Sequence, residues 1–166
     1  MQTENRMKTL AGLFKENNAQ PVLLNGKRVH IDFRRVVTNG TIVDVEMLSK
    51  RLFGNPAFCI YINKGKFQIN NREDSEFDKN EVCINWYKRA PKKFKLNVIA
   101  RKNVEPEIVF YNGWWNFLGE FESSFDHDGV LIEDNDPSFV LRFNNGRNSK
   151  LTFDDLVVRL TFLDPE

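Results

Sequence analysis

TIVDVEMLSKRLFGNP, residues 41–56, is the stretch on which the fold class turns. It satisfies the pattern of a short helix. Asp44 stands where an N-cap belongs, Met47, Leu48 and Leu52 supply one apolar face, and Gly54 with Pro56 stops the run after Phe53. Lys50 and Arg51 then fall in the last turns, where cations interact favourably with the helix dipole. A first helix is expected over residues 3–17, with Thr3 as cap and Met7, Leu10, Ala11 and Phe14 at i, i+3, i+4, i+7 spacing. Asn17 and Asn18 can end it. All helical signals lie in residues 1–60 and the remainder consists of short strand runs, so the expected class is α+β: an N-terminal helix, antiparallel hairpins and a short second helix.

Working outward, VLL-NG-KRVHIDF (22–33) predicts a hairpin, because Asn25-Gly26 accepts the positive φ angles of a tight turn. Asn39-Gly40 between RVVT and TIV predicts a second, and CIYI-NKG-KFQI (59–69) a third with Gly65 at the bulge. Residues 70–81, NNREDSEFDKNE, form a polar connection. EVCINWY and FKLNVIA then read as paired strands around the basic turn KRAPKK.

Beyond Pro106 come EIVFY, WWNFLGEF, GVLIE, FVLRF and LVVRLTF, separated by Asn112-Gly113, Asp128-Gly129, Asn135-Asp136-Pro137 and Asn144-Asn145-Gly146. The order of an aromatic first hairpin, a glycine turn, GVLIED, FVLRFNNGR and LTFDDLVVRL resembles that of SH3-like or Tudor-like barrels over residues 106–162. The resemblance implies a small all-β barrel that hosts binding, without naming an activity. The expected organisation is a basic α+β region, 1–104, followed by an acidic, aromatic-rich barrel, 105–166, serving as a protein-interaction module.

Charge supports that division. Residues 1–102 carry 20 of the 24 Lys and Arg but 10 of the 23 Asp and Glu, a formal +10, whereas residues 103–166 carry a formal −9. Opposite signs in the two halves point to a polyanion-binding region joined to an acidic one. The 15 Phe, 3 Trp and 3 Tyr suffice for a packed core. No apolar run reaches the roughly 18–20 residues of a membrane span, and MQTENRMKTL has no signal-peptide core. Cys59 and Cys83 lie in apolar strand runs and are expected as buried free thiols in a reducing cytoplasm.

The strongest candidate site is WYKRAPKKFKLNVIARK (86–102), where Lys88, Arg89, Lys92, Lys93, Lys95, Arg101 and Lys102 are interleaved with Trp86, Tyr87 and Phe94 and no acid intervenes. Such cations neutralise phosphates, and exposed rings stack on bases. Arg34 and Arg35 could extend the patch, since guanidinium groups fit paired acceptors on phosphate or guanine. Lys27 and Arg28 adjoin the first turn. The alternative is a solvated hairpin tip whose lysines protect a sheet edge. Trp114 and Trp115 face opposite sides of any strand, so one of them is a candidate protein-interaction anchor or lies beneath a loop.

Catalytic signals are sparse. Asp126-His127-Asp128 sits in a turn, and His30, Cys59, Cys83 and His127 lack the paired spacing of zinc sites. There is no Walker loop, dinucleotide fingerprint or HExxH. No cofactor or metal is expected, although Glu73, Asp74, Glu76, Asp78 and Glu81 keep a metal-dependent nuclease as a remote alternative.

The expected function is therefore a non-enzymatic regulator. It would bind nucleic acid, DNA in preference to RNA, through the basic region, and a basic protein of a transcription or replication assembly through the acidic barrel. Compact chains of this design suit phage or mobile elements. The alternative is a protein-interaction module or inhibitor without nucleic-acid binding, in which the basic half serves its own acidic half or a protein target.

Overall fold

A computed structural model of the chain describes residues 10–51, 56–70, 80–85, 92–115, 118–123, 129–144 and 151–165. Among these the only helix is α1 (Leu10–Glu16), and thirteen strands follow it. The fold is thus nearly all β, and the expected α+β class is corrected. Strands β1 (Val22–Leu24) and β2 (Lys27–Val29) form the hairpin expected at Asn25-Gly26, whose φ angles are 49° and 76°. Asn18, at φ 51°, closes α1, and Leu10 and Phe14 are its buried residues. The expected helical residues 3–9, Met7 included, lie outside the described residues.

The decisive stretch is a strand. Residues Ile42–Lys50 form β4, which sits between β13 (Leu156–Leu163) and β8 (Lys93–Ala100), antiparallel to both. Val43 and Val45 face the core while Asp44 and Glu46 face out, a period of two that the helical spacing of Met47, Leu48 and Leu52 masked. The β-branched run Thr41-Ile42-Val43 and Val45 favours a strand, and ladders on both edges decide it. Leu48 is the extra residue of a bulge, because Ser49 and Met47 oppose the successive Val157 and Val158. Leu52, Phe53 and Gly54 lie outside the described residues.

Two antiparallel sheets face each other. One has the order β11-β12-β13-β4-β8-β6, with β11 at Val130–Asn135, β12 at Ser138–Phe143 and β6 at Gly65–Asn70. The other contains β10 (Phe121–Ser123), β9 (Glu107–Trp115), β5 (Pro56–Asn63) and β7 (Glu81–Asn85) in that order, and β3 (Phe33–Val36) shares β9's outer edge with β10.

From β3 to β9 each successive strand changes sheet. The turn at Asn39-Gly40, the turn at Lys64-Gly65 and the link carrying KRAPKK therefore join opposite sheets, correcting the second, third and fourth expected hairpins. A reversal signal fixes where the chain turns; it does not fix which strand becomes the partner. The order β3-β9-β5-β7 against β4-β8-β6 is the connectivity of a jelly roll short of one strand, extended by β13 and by the β11–β12 hairpin.

The expected C-terminal barrel is also corrected. Strands β9 and β10 belong to one sheet and β11, β12 and β13 to the other, so both sheets take strands from each side of residue 104. They share one core. Phe33 packs against Phe139 at 4.9 Å between centroids, Phe58 against Phe143 at 6.0 Å, and Phe110 against Phe162 at 6.3 Å. Each such ring removed from water contributes about 2–3 kcal/mol. A smaller cluster of Leu10, Phe14, Val22, Val29 and Phe153 holds α1 and the first hairpin against the edge at β11. Gly129 permits that approach, because a Cβ there would collide with Val29.

The cysteines are not free thiols. Cys59 and Cys83 are cross-strand partners on β5 and β7, with Cα atoms 4.1 Å apart, and are joined by a disulfide. Among the described residues no helix is long and apolar enough to cross a membrane.

Candidate binding surfaces

Alternation along β3 and β8 determines where the expected phosphate contacts go. Phe33 points into the core, so Arg34 lies on the outer face of the five-stranded sheet. Phe94 and Leu96 point into the core, so Lys93 and Lys95 lie on the outer face of the six-stranded sheet. The two groups occupy opposite faces of the sandwich and form no common stripe. Arg101 and Lys102 follow β8 at its far end, both exposed, and Lys92 precedes it. Lys88 and Arg89, with Trp86 and Tyr87, lie outside the described residues.

Carboxylates of the same chain meet four of the candidate cations, Arg34, Arg35, Lys93 and Lys95. Arg34 binds Asp32 in a fork, Nε to Oδ1 at 2.8 Å and Nη2 to Oδ2 at 2.6 Å, with Glu107 at 3.8 Å. The hydrogen bond to Asp32 is the main cause holding the Arg34 guanidinium above its ordinary pKa. Arg35 donates to Asp136 at 2.7 Å and lies over the rings of Phe139 and Phe162, 5.1 and 4.7 Å from their centroids. Lys93 pairs with Glu46 at 2.9 Å and Lys95 with Asp44 at 3.5 Å. Arg159 reaches the same Glu46 at 3.2 Å, and Arg51 bridges Asp154 and Asp155 at 2.8 and 3.5 Å.

Several of these pairs join the basic half of the sequence to the acidic half: Arg34–Glu107, Arg35–Asp136, Arg51–Asp154, Arg51–Asp155 and Glu46–Arg159. The Lys93 hydrogen bond is the largest cause holding the Glu46 carboxyl below its ordinary pKa.

Two clefts have definite chemistry. The first, about 530 Å³, lies on the outer face of the six-stranded sheet. Lys93, Lys95 and Arg159 line it with Asp44, Glu46, Ser138 and Thr161. Arg159 was missed from the sequence because it belongs to the acidic half; register alone brings it opposite Glu46.

The second, about 290 Å³, lies on the outer face of the five-stranded sheet. Its row Arg34, Val109, Tyr61, Glu81 consists of successive cross-strand neighbours on β3, β9, β5 and β7, and Glu107 opposite Asn63 adds the next row. Tyr111 crosses β5 and donates its hydroxyl to Glu81 Oε1 at 2.6 Å. Burial, followed by that bond, raises the Tyr111 phenol well above its usual pKa. The sequence marked Glu81 only as one of five acids of a remote metal-site alternative, and Tyr61, in an apolar run, carried no site signal.

The tryptophans fall on opposite sides of β9 as alternation requires. Trp114 is buried, and Trp115 is half-buried with its ring 5.4 Å from that of Phe121. Neither is exposed. His30 pairs by backbone with Val130 and faces a cleft of about 800 Å³ that also includes Asp32 and Asp134. Burial, then Arg28, lowers the His30 pKa.

Among the described residues no three His, Cys, Asp or Glu side chains gather as metal ligands would. Glu73, Asp74, Glu76, Asp78 and Asp126-His127-Asp128 lie outside them. The molecule is thus a two-sheet β sandwich of jelly-roll connectivity with one charged and one aromatic outer face. The chain matches no protein-family model, no curated protein and no solved structure at a level that shows relatedness.

Proposed function

We propose that this chain is a non-enzymatic binding module whose partner is a protein, and that its basic half serves its own acidic half rather than nucleic acid. The observation that carries this is the matching of charge within the fold. Arg34, Arg35 and Arg51 of the basic half stand against Glu107, Asp136, Asp154 and Asp155 of the acidic half. Lys93 and Lys95 stand against Glu46 and Asp44 of their own half, on the face opposite Arg34, and Arg35 lies at the seam between the sheets. A polyanion gains most where several unmatched cations share one surface and release counterions together. Matched cations spread over two faces and the seam offer little of that.

A specific observation supports the second reading, a nucleic-acid-binding regulator. Lys93, Lys95 and Arg159 share one cleft with the hydroxyls of Ser138 and Thr161, a donor set suited to phosphate. Affinity capture of the tagged chain with and without nuclease, followed by mass spectrometry, separates the two. One protein recovered in stoichiometric amount under both conditions is the expected result; recovery that disappears with nuclease would favour the second reading. The Cys59–Cys83 bridge supports a compartment oxidising enough to keep it, in place of the reducing cytoplasm expected from two isolated cysteines.

A further inference from the structure

The cleft on the outer face of the five-stranded sheet has a charge and shape that select one kind of ligand group. Its single cation, Arg34, is held in a bidentate fork by Asp32, whose carboxylate is nearly buried. Glu81 and Glu107 are left as an excess of negative charge around the cleft. Glu81 uses Oε1 to accept the Tyr111 hydroxyl, and its Oε2 has no further bond among the described residues.

Between the two glutamates stands Tyr61, 37 % exposed although its strand neighbours Ile60 and Ile62 are fully buried. Val109 and Tyr111 form an apolar floor, and Val36, 56 % exposed, extends the apolar surface beside Glu107. An aromatic face with carboxylates at its edge attracts an organic cation through the ring quadrupole and through charge. Anions are repelled. A neutral ligand would leave Glu81 without a charged partner and Glu107 with only Arg34, 3.8 Å away and already forked by Asp32.

We propose that this cleft binds an arginine side chain presented by a basic segment of a protein partner. A planar guanidinium can lie on the Tyr61 ring and direct its N–H groups to Glu81 and Glu107 at the same time, which a compact ammonium does less well. The Cys59–Cys83 bridge ties β5 to β7 one row from the site, and the Tyr111–Glu81 bond fixes one carboxylate, so the site is organised before a ligand arrives. The inference rests on the protein-binding reading only for the source of the arginine.

The test is titration of the isotope-labelled chain with N-acetyl-arginine amide, followed by NMR. N-acetyl-citrulline amide, of the same shape without charge, and N-acetyl-lysine amide serve as the other arms. The expected result is saturable movement of the Tyr61, Glu81 and Val109 amides with the arginine probe, weaker movement with lysine and none with citrulline. Tyr61→Ala should abolish saturation and Glu107→Gln should weaken it several-fold, both with a dispersed, folded spectrum. Tyr61 is a surface ring, so its loss leaves the core intact. Citrulline moving the same amides equally, lysine binding more tightly than arginine, or no saturation up to tens of millimolar would each overturn the proposal.

A wild-type chain that captures its protein partner no better than Tyr61→Ala would remove this cleft from the interface and leave the protein-binding reading standing. Capture abolished by nuclease would remove that reading and leave the amide titration unaffected.

Discussion

The two outer faces of the sandwich share a core yet solve opposite problems. On the six-stranded sheet, Arg159, Glu46 and Lys93 lie side by side across three strands, as do Thr161, Asp44 and Lys95, and Arg142 pairs with Glu133 beyond them. This face is wet, and its charges alternate in sign. On the five-stranded sheet, Ala57, Cys59, Val109 and Tyr111 are buried on the outer face as well, with Trp115 and Phe121 packed beside them. A strand with one dry face alternates in sequence, whereas a strand dry on both faces reads as an unbroken apolar run. KFKLNVIA and SFVLRF show the first pattern; PAFCIYIN and EIVFYNGWW show the second.

The contrast can be broken most strongly on the sealed face. Reducing the Cys59–Cys83 bridge frees a loop spanning a sequence separation of 24 residues and should cost about 3 kcal/mol, lowering Tm by about 10 °C. Thermal unfolding with and without reductant measures this; an unchanged Tm would mean that the bridge adds nothing to the packed face. Next comes the seam between the sheets. Arg35→Ala removes both the Asp136 pair and the cover over Phe139 and Phe162, and should cost about 1–2 kcal/mol by urea denaturation. Arg35→Lys should recover only part of it.

The smallest effect belongs to the charged face. Glu46 is held below its ordinary pKa chiefly by the Lys93 hydrogen bond. Its contribution is therefore present above the unfolded carboxyl pKa and is lost as pH falls through the lower folded value. Glu46→Gln should flatten the acid limb of the stability–pH curve slightly, an effect that added salt also reduces. An equal loss at neutral and strongly acidic pH would show that Glu46 acts by packing instead of charge.

The same contrast explains what the sequence could reveal. Local chemistry was legible: Asn25-Gly26 made its hairpin, Asn18 ended α1, and Trp114 and Trp115 took opposite sides of β9. Partnership was not. Asn39-Gly40 and Lys64-Gly65 turn the chain as expected but send it to the other sheet, because strand pairing is decided by contacts distant in sequence. The run from Asp44 through Phe53 fits a helix locally, yet its Asp44–Lys50 part belongs to a central strand once β8 and β13 claim its edges. Arg34, Arg35, Lys93 and Lys95 were visible in sequence as candidate cations; Arg159 and the pairing with carboxylates were not. Asp136 lies 101 residues from Arg35, and Arg159 lies 113 from Glu46.

The central claim, that the charge division serves the fold, is tested most directly by equilibrium titration of the chain with labelled duplex and single-stranded DNA across a salt series. The account predicts no saturable binding even at low salt. Tight low-salt binding that weakens linearly with the logarithm of salt concentration, with a slope reduced when Lys93 and Lys95 are replaced by Ala, would contradict it.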